Sequence, residues 1–188
     1  MSIISNLIRK FQWRKANRSF EGKRRYLISQ GAVIGEGTRL MCSTDSFGSE
    51  PYLIRVGKNC EFAGEIKLIT HDGGVAVLSN CGYFGGERRD IAAPIVIGDN
   101  VVIGQGAYVM PGVTIGSNVV VGAKALVTKD IPNNCVAVGV PARVFKTLDE
   151  YYEGVAAKGW FYPTSRMPRE EKRAYFEKIG LASQSVEG

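Results

Sequence analysis

The sequence predicts an all-β fold, a left-handed parallel β-helix with helical extensions at its N- and C-terminal ends. Three observations carry the prediction. Ile97, Ile103, Val109, Ile115, Val121 and Val127 recur at six-residue spacing, and Gly98, Gly104, Gly116 and Gly122 directly follow four of them. A second apolar series, Val101, Ala107, Val113, Val119, Ala125 and Ile131, comes four residues after each of these aliphatics. Asn100, Gly106, Gly112, Asn118 and Lys124 stand three residues after five of them.

A period of six fits neither the helical repeat nor simple strand alternation. It fits a short strand and a corner, repeated. Both apolar series then point inward, and the corner falls where Gly or Asn adopts a left-handed backbone at little cost. Three hexads close one triangular coil, and stacked coils pair their strands in parallel around a ladder of aliphatics. A right-handed β-helix is the alternative solenoid; glycine directly after the aliphatic favours the left-handed form.

The same pattern starts earlier, with gaps. Ile34-Gly35-Glu36-Gly37 leads to Leu40, and Val56-Gly57-Lys58-Asn59 leads to Cys60 in the small inward slot and Phe62 in the large one, with Leu68 next. The solenoid is therefore placed at residues 31–142, after a basic N-terminal segment, 1–30, and before a C-terminal helical extension, 143–188. Within that extension Leu148, Tyr151, Tyr152 and Val155 suggest one helix, and Pro168 with the charged run after it starts another. Residues 181–188 read as a tail. Residues 72–90 break the period, as a long inserted loop in a tight repeat, and such loops are usually functional or disordered.

Composition sets the remaining bounds. Hydrophobic residues are 45% and charged residues 22%, ordinary for a soluble globular protein. The net charge of +6 is gathered toward the N-terminus, where Arg9, Lys10, Arg14, Lys15, Arg18, Lys23, Arg24 and Arg25 face one acid, Glu21. Helical spacing puts Ile4, Leu7, Ile8 and Phe11 on one face, so residues 1–25 could touch an anionic membrane surface. The alternative, which is favoured, is a helix packed on the protein's own body with a solvated basic face. No apolar run reaches the length of a membrane span, and nothing reads as a signal peptide, so a cytoplasmic location is expected. Cys42, Cys60, Cys81 and Cys135 form no C-x-x-C pair, and there is a single histidine, so no zinc or other metal is expected. Nucleic-acid binding is not expected either, because no recognised motif accompanies the basic residues.

Four motifs carry a resemblance: Gly98-Asp99-Asn100-Val101-Val102-Ile103-Gly104, Pro111-Gly112-Val113-Thr114-Ile115-Gly116, Val127-Thr128-Lys129-Asp130-Ile131-Pro132 and Gly139-Val140-Pro141-Ala142-Arg143-Val144. Residues 31–146 resemble the hexapeptide-repeat acyltransferase superfamily, which includes maltose, galactoside, serine and capsular-polysaccharide acetyltransferases. Ile69-Thr70-His71-Asp72-Gly73-Gly74 resembles members from surface-polysaccharide gene clusters. The resemblance implies transfer of an acetyl group from acetyl-CoA to a sugar hydroxyl by a homotrimer, whose sites lie between neighbouring prisms.

His71 is the candidate general base. By the hexad register it falls three residues after Leu68, at a corner where the long loop departs. Acyl transfer to an alcohol needs the hydroxyl proton removed as oxygen attacks the thioester, and an imidazole titrating near ~6.5 suits that task. The family counterpart of His71 does this and returns the proton to the CoA thiolate. Glu65, in the corner slot one hexad earlier, and the adjacent Asp72 are possible acidic partners, with Asp45 and Glu50 as further candidates. Cys81 as an acyl-accepting nucleophile is a less favoured option, because it would have to share the same histidine.

Matched to the family, the backbone N–H of Gln105 meets the acetyl or pantetheine carbonyl, and Ala123 binds pantetheine. Thr128 and Lys129 lie toward the phosphates, and Lys146 lies near the adenosine phosphates. In the inserted loop, Tyr83, Phe84, Arg88 and Arg89 would shape the acceptor pocket, with aromatics for a sugar face and arginines for a phosphate or carboxylate on it. The loop could instead grip a neighbouring subunit. The rival functions are N-acylation of an amino sugar, acetylation of serine or of a drug, and a trimeric binding scaffold without catalysis.

Overall fold

The structure, a computed structural model, describes residues 12–182. The chain divides into two compact units, Met1–Glu150 and Tyr151–Gly188. The first is the predicted parallel β-helix. Its short strands form three parallel faces: Val33–Ile34, Ile54–Val56, Ile95–Ile97 and Thr114–Ile115 on one; Lys67–Leu68, Tyr108–Val109 and Leu126–Val127 on the second; and Arg39–Leu40, Glu61–Phe62, Val101–Ile103, Val119–Val121 and Cys135–Gly139 on the third. Register follows the repeat. Ile97 pairs with Ile115, Val101 with Val119, and Val109 with Val127, each one full coil apart.

Every position assigned to either inward series is buried, from Ile34 and Leu40 through Ile97, Ile103 and Val109 to Val127 and Ile131. Their stacking forms one continuous apolar core, and burial of aliphatic surface on this scale is the main stabilising term. Cys60 takes the small inward slot, and burial pushes its thiol above the ordinary range. The five corners read from the unbroken repeat have left-handed backbone: Asn100, Asn118 and Lys124 at φ 55, 57 and 59°, and Gly106 and Gly112 at 68 and 80°. Asparagine adds something here that glycine cannot. Asn100 Nδ2 donates to Asn118 Oδ1 at 2.9 Å, and Asn118 Nδ2 to Asn134 Oδ1 at 2.9 Å, so one corner carries a side-chain ladder between coils.

The glycine after the aliphatic has a different purpose. A Cβ on Gly98 would sit 2.6 Å from Ser117 Oγ and 2.8 Å from the backbone carbon of Gly116, so adjacent coils could not stack at their present spacing. Gly98→Ala is expected to destabilise the solenoid by about 1–3 kcal/mol, as overpacked cores do, and thermal denaturation checks it.

The open N-terminal end is covered by the helix Phe20–Ser29, whose Leu27 joins the core. Among the described residues the first coil has no coil beneath it to satisfy its carbonyls. Buried Lys23 donates from Nζ to Leu40 O at 2.9 Å, and Arg24 Nε donates to Ile34 O at 3.2 Å. The favoured packed-helix reading thus describes this helix, but these two cations are drawn inward as caps rather than left to solvent. The apolar stripe Ile4, Leu7, Ile8 and Phe11 lies outside the described residues.

At the other end the solenoid runs past its expected limit. Ala142–Thr147 is a strand that folds back antiparallel on Cys135–Gly139, so residues 143–147 belong to the sheet and helix begins only at Leu148. The helix Leu148–Ala156 starts in the first unit and ends in the second. Within the second unit Tyr152 stacks on Phe161 with centroids 5.4 Å apart, and the helix Arg169–Lys178 follows Pro168 as expected. Residues 183–188, most of the expected tail, lie outside the described residues. No helix among the described residues is long and apolar enough to cross a membrane.

Candidate active site

Lys67–Leu68, Tyr108–Val109 and Leu126–Val127 run side by side. Residues 69–71, 110–112 and 128–130 therefore leave one edge of this face, and residues 64–66, 105–107 and 123–125 enter at the other. His71 lies at the exit edge of its coil, as the register predicts, but its backbone is not the corner type. His71–Asp72 forms a two-residue strand that pairs antiparallel with Ile91–Ala92. The inserted segment leaves and returns at the same edge, and closing its neck by antiparallel pairing requires extended backbone there. Between these strands lies the helix Val75–Asn80.

The carboxylate beside the imidazole belongs to Glu50. His71 Nδ1 lies 2.9 Å from Glu50 Oε2. The same oxygen accepts from Thr70 Oγ1 at 2.7 Å, and Oε1 accepts from Ser49 Oγ at 2.7 Å. These hydroxyls, Ser49 first and Thr70 next, and then His71, hold the Glu50 carboxyl down at about 2. An ionised carboxylate has no proton to donate, so Nδ1 carries the hydrogen of this bond and Nε2 is left as the basic nitrogen. Thr70 is buried, whereas the His71 side chain is 53% exposed.

Glu50 arrives there because the first coil lacks a regular third side. Residues 41–53 carry no hexad. They form a tight turn, Thr44–Phe47, whose Phe47 is buried in the core with its ring centroid 6.2 Å from that of Phe62. A second turn, Pro51–Leu53, then leads into Ile54–Val56. Glu50 therefore reaches in coil one the edge that His71 holds in coil two. Glu65 does not. It is a left-handed corner residue, φ 60°, at the entry edge of the same face. A hexad advances the chain by one corner of the prism, so positions six apart cannot share an edge. Asp72 instead accepts from Gly74 N at 2.7 Å and shapes the start of the inserted segment. Asp45 accepts from Trp13 Nε1 at 3.0 Å.

His71 and Glu50 open onto a cleft of about 390 Å³ whose walls include Tyr52, Asp72, Val75 and Asp90. A second cleft of about 330 Å³ adjoins it through Val75 and Asp90, and contains Arg88 and Arg89. Phe84 lies under the Arg89 guanidinium at 5.4 Å, and Tyr83 is exposed outside both clefts. Exposed Cys81 caps the helix Val75–Asn80 and lines neither cleft. Among the described residues no group of three or more His, Cys, Asp or Glu side chains is placed to hold a metal ion.

The residues assigned to acetyl-CoA fall into two sets. Thr128 and Lys129 leave the face at the His71 edge, whereas Gln105 and Ala123 stand at the opposite edge. Gln105 and Ala123 are exposed neighbours on adjacent coils, joined where Lys124 N donates to Gln105 O at 2.9 Å. Their own N–H groups have no acceptor among the described residues. Unpaired amide donors on exposed residues fit a ligand rich in amide carbonyls such as pantetheine. Half-buried Lys146, with Nζ 4.6 Å from the Phe145 ring centroid, offers a cation suited to phosphate.

A parallel β-helix of six-residue repeats, with an imidazole–carboxylate pair at a cleft on one edge of a face and exposed amide donors on the other, fits the class of acyltransferases built on such repeats. Comparison with known proteins gives the same class. Residues 94–129 match the family model described as bacterial transferase hexapeptide (six repeats). Protein CapG of Staphylococcus aureus is 39% identical over 146 residues, covering 77% of this chain and 81% of that protein. A maltose O-acetyltransferase from Clostridium difficile 630 superposes with TM-score 0.53 at 32% identity, covering 73% of this chain and 83% of that one. A galactoside acetyltransferase solved in complex with coenzyme A gives TM-score 0.52 at 26% identity, covering 78% and 82%. The chain belongs to the hexapeptide-repeat acyltransferase superfamily, a family of acyl-CoA-dependent acetyltransferases.

Proposed function

We propose that this chain transfers the acetyl group of acetyl-CoA to a hydroxyl of a saccharide, in the making of a surface polysaccharide, with His71 as general base. The observation that carries this reading is the 2.9 Å bond from His71 Nδ1 to Glu50, which leaves Nε2 as the proton acceptor at an open cleft. Nε2 takes the hydroxyl proton as the acceptor oxygen attacks the thioester carbonyl. The tetrahedral intermediate then collapses, the C–S bond breaks, and the imidazolium gives its proton to the departing thiolate. Glu50 orients the ring and stabilises its charged form in between.

Acetyl-CoA supplies the activated acyl group. Gln105 and Ala123 bind its amides through backbone N–H groups, an N–H of Gln105 also serving the developing oxyanion. Thr128, Lys129 and Lys146 take the pantetheine end and the phosphates. Gln105 and Ala123 lie across the face from His71 of their own chain. A homotrimer resolves that separation, because each neighbour brings its entry edge to the next subunit's exit edge. The cytoplasm, where acetyl-CoA is made, is the expected location.

The experiment is a measurement of CoA thiol release against a panel of mono- and oligosaccharides, with amino sugars, serine and aminoglycosides as competing acceptors. Release with a hydroxyl sugar, and mass gain of one acetyl ester, supports the reading. Release only with an amine overturns O-acylation. Lys146→Glu is expected to weaken CoA binding by about tenfold, the scale of one charge-assisted phosphate contact, with acceptor KM unchanged; isothermal titration with CoA checks it.

A further inference from the structure

The second cleft has no part in the mechanism so far. Its walls include Val75, Ser79, Asn80, Arg88, Arg89 and Asp90. Arg89 is committed at both ends, to Glu87 at 2.8 Å and to the face of Phe84. Arg88 is exposed and forms no ion pair or hydrogen bond among the described residues, with Asp90 or with any other group. The Ser79 hydroxyl and the Asn80 carboxamide likewise have no side-chain partner among the described residues. Guanidinium, hydroxyl and amide N–H together form a set of donors, and the ligand chemistry that satisfies it is an oxyanion.

Position limits what that oxyanion can belong to. Asp72 pairs with Ile91 and His71 with Ala92, so Arg88 stands three residues from the closed neck of the insertion. Three residues of extended chain reach at most about 10 Å. That is the span of a sugar ring and the substituent it carries. The catalytic cleft itself has the opposite character. Asp90 is common to both clefts, but the catalytic one adds Glu50 and Asp72 with His71 as its one potential cation, whereas the second adds Arg88 and Arg89. An anionic group is disfavoured beside His71, whereas neutral hydroxyls suit the carboxylates there. The two clefts thus divide one acceptor into a neutral part and an anionic part.

We propose that the acceptor is a glycosyl phosphate or diphosphate, its ester bound by Arg88 with Ser79 and Asn80 while its sugar hydroxyl faces His71 Nε2. This rests on the acetyltransferase reading and names the substrate class within it. Phosphate esters of sugars occur as nucleoside-diphosphate sugars and as polyprenyl-diphosphate sugars, and the two share the chemistry that Arg88 would recognise.

The test uses the full chain with matched pairs of acceptors: the 1-phosphate and the methyl glycoside of glucose, galactose, mannose and N-acetylglucosamine. The nucleoside-diphosphate and the farnesyl-diphosphate forms of whichever sugar responds then separate the two sources. In wild type the phosphate ester is expected to show the lower KM in at least one pair. Arg88→Ala should raise that KM about tenfold, the loss expected for one charge-assisted contact, with kcat and the methyl glycoside unaffected. Arg88→Lys should recover part of the loss, because it keeps charge but not the fork. Equal kcat/KM for both members of every pair in wild type overturns the proposal, as does an Arg88→Ala loss shared equally by ester and glycoside. In both cases acetyl transfer that still depends on His71 leaves the enzymatic reading standing. No thiol release with any sugar, ester or glycoside, overturns both.

Discussion

His71→Ala is expected to lower kcat for acetyl transfer by about 10²–10⁴-fold, the usual contribution of a general base, while CoA binding stays unchanged. The substitution removes the group that takes the hydroxyl proton and later protonates the thiolate, so both halves of the reaction lose their proton carrier. It leaves the solenoid intact. The side chain is 53% exposed, and the strand pairing at His71 is made by backbone atoms. Steady-state thiol release, titration with CoA and a melting curve together check the expectation. Because the ring stands in an open cleft, free imidazole should restore part of the lost rate by occupying the vacated position. A variant that turns over at the wild-type rate would remove His71 from the chemistry. A variant that loses CoA affinity together with rate would mean that the ring holds the donor rather than a proton.

The placement of His71 and the misplacement of its partner have one physical origin. The hexad carries three-dimensional information only where it is unbroken. From Ile95 to Ile131 the inward slots state which residues are buried, and the structure agrees at each of them, while the five corners from Asn100 to Lys124 are all left-handed. Gln105 and Ala123, read as lying along the donor's path, are exposed neighbours on adjacent coils because the same register continues through them. Residues 41–53 contain no hexad, so nothing in the sequence says that this stretch closes the first coil. Glu50 remained one carboxylate among several. The signal that could have found it was topological: a residue partnering His71 must come from the same corner of an adjacent coil, and the stretch before Ile54 is the segment that passes there. The fold-back of Ala142–Thr147 was hidden for a related reason, since an antiparallel strand closing a solenoid has no counterpart in the repeat.

Glu50→Gln is expected to lower kcat by about 10²-fold with the KM for acetyl-CoA unchanged. The loss of an orienting carboxylate in a buried triad reaches about 10⁴, and partial exposure of this one screens its charge and reduces the effect. The carboxamide keeps the volume and can still accept the Nδ1 hydrogen through its oxygen. It cannot also accept from both hydroxyls, because its NH₂ end meets either Ser49 or Thr70, each 2.7 Å from a carboxylate oxygen in the wild type. The ring loses its electrostatic support and part of its fixed orientation. Glu50→Ala should cost as much or more in kcat, and a purely structural role would instead lower the melting temperature without a selective loss of kcat. The acid limb separates these further. Glu50 titrates at about 2 in the folded chain, below the ordinary value of a glutamate, near 4.3. Its folded value is depressed, so its contribution to stability is complete above the unfolded value and fades as pH falls through that window toward 2. The difference in melting temperature between wild type and Glu50→Gln should therefore close as pH falls from about 5 to 2. A difference that persists unchanged at pH 2 would mean that the ionised carboxylate is not what Ser49, Thr70 and His71 are holding.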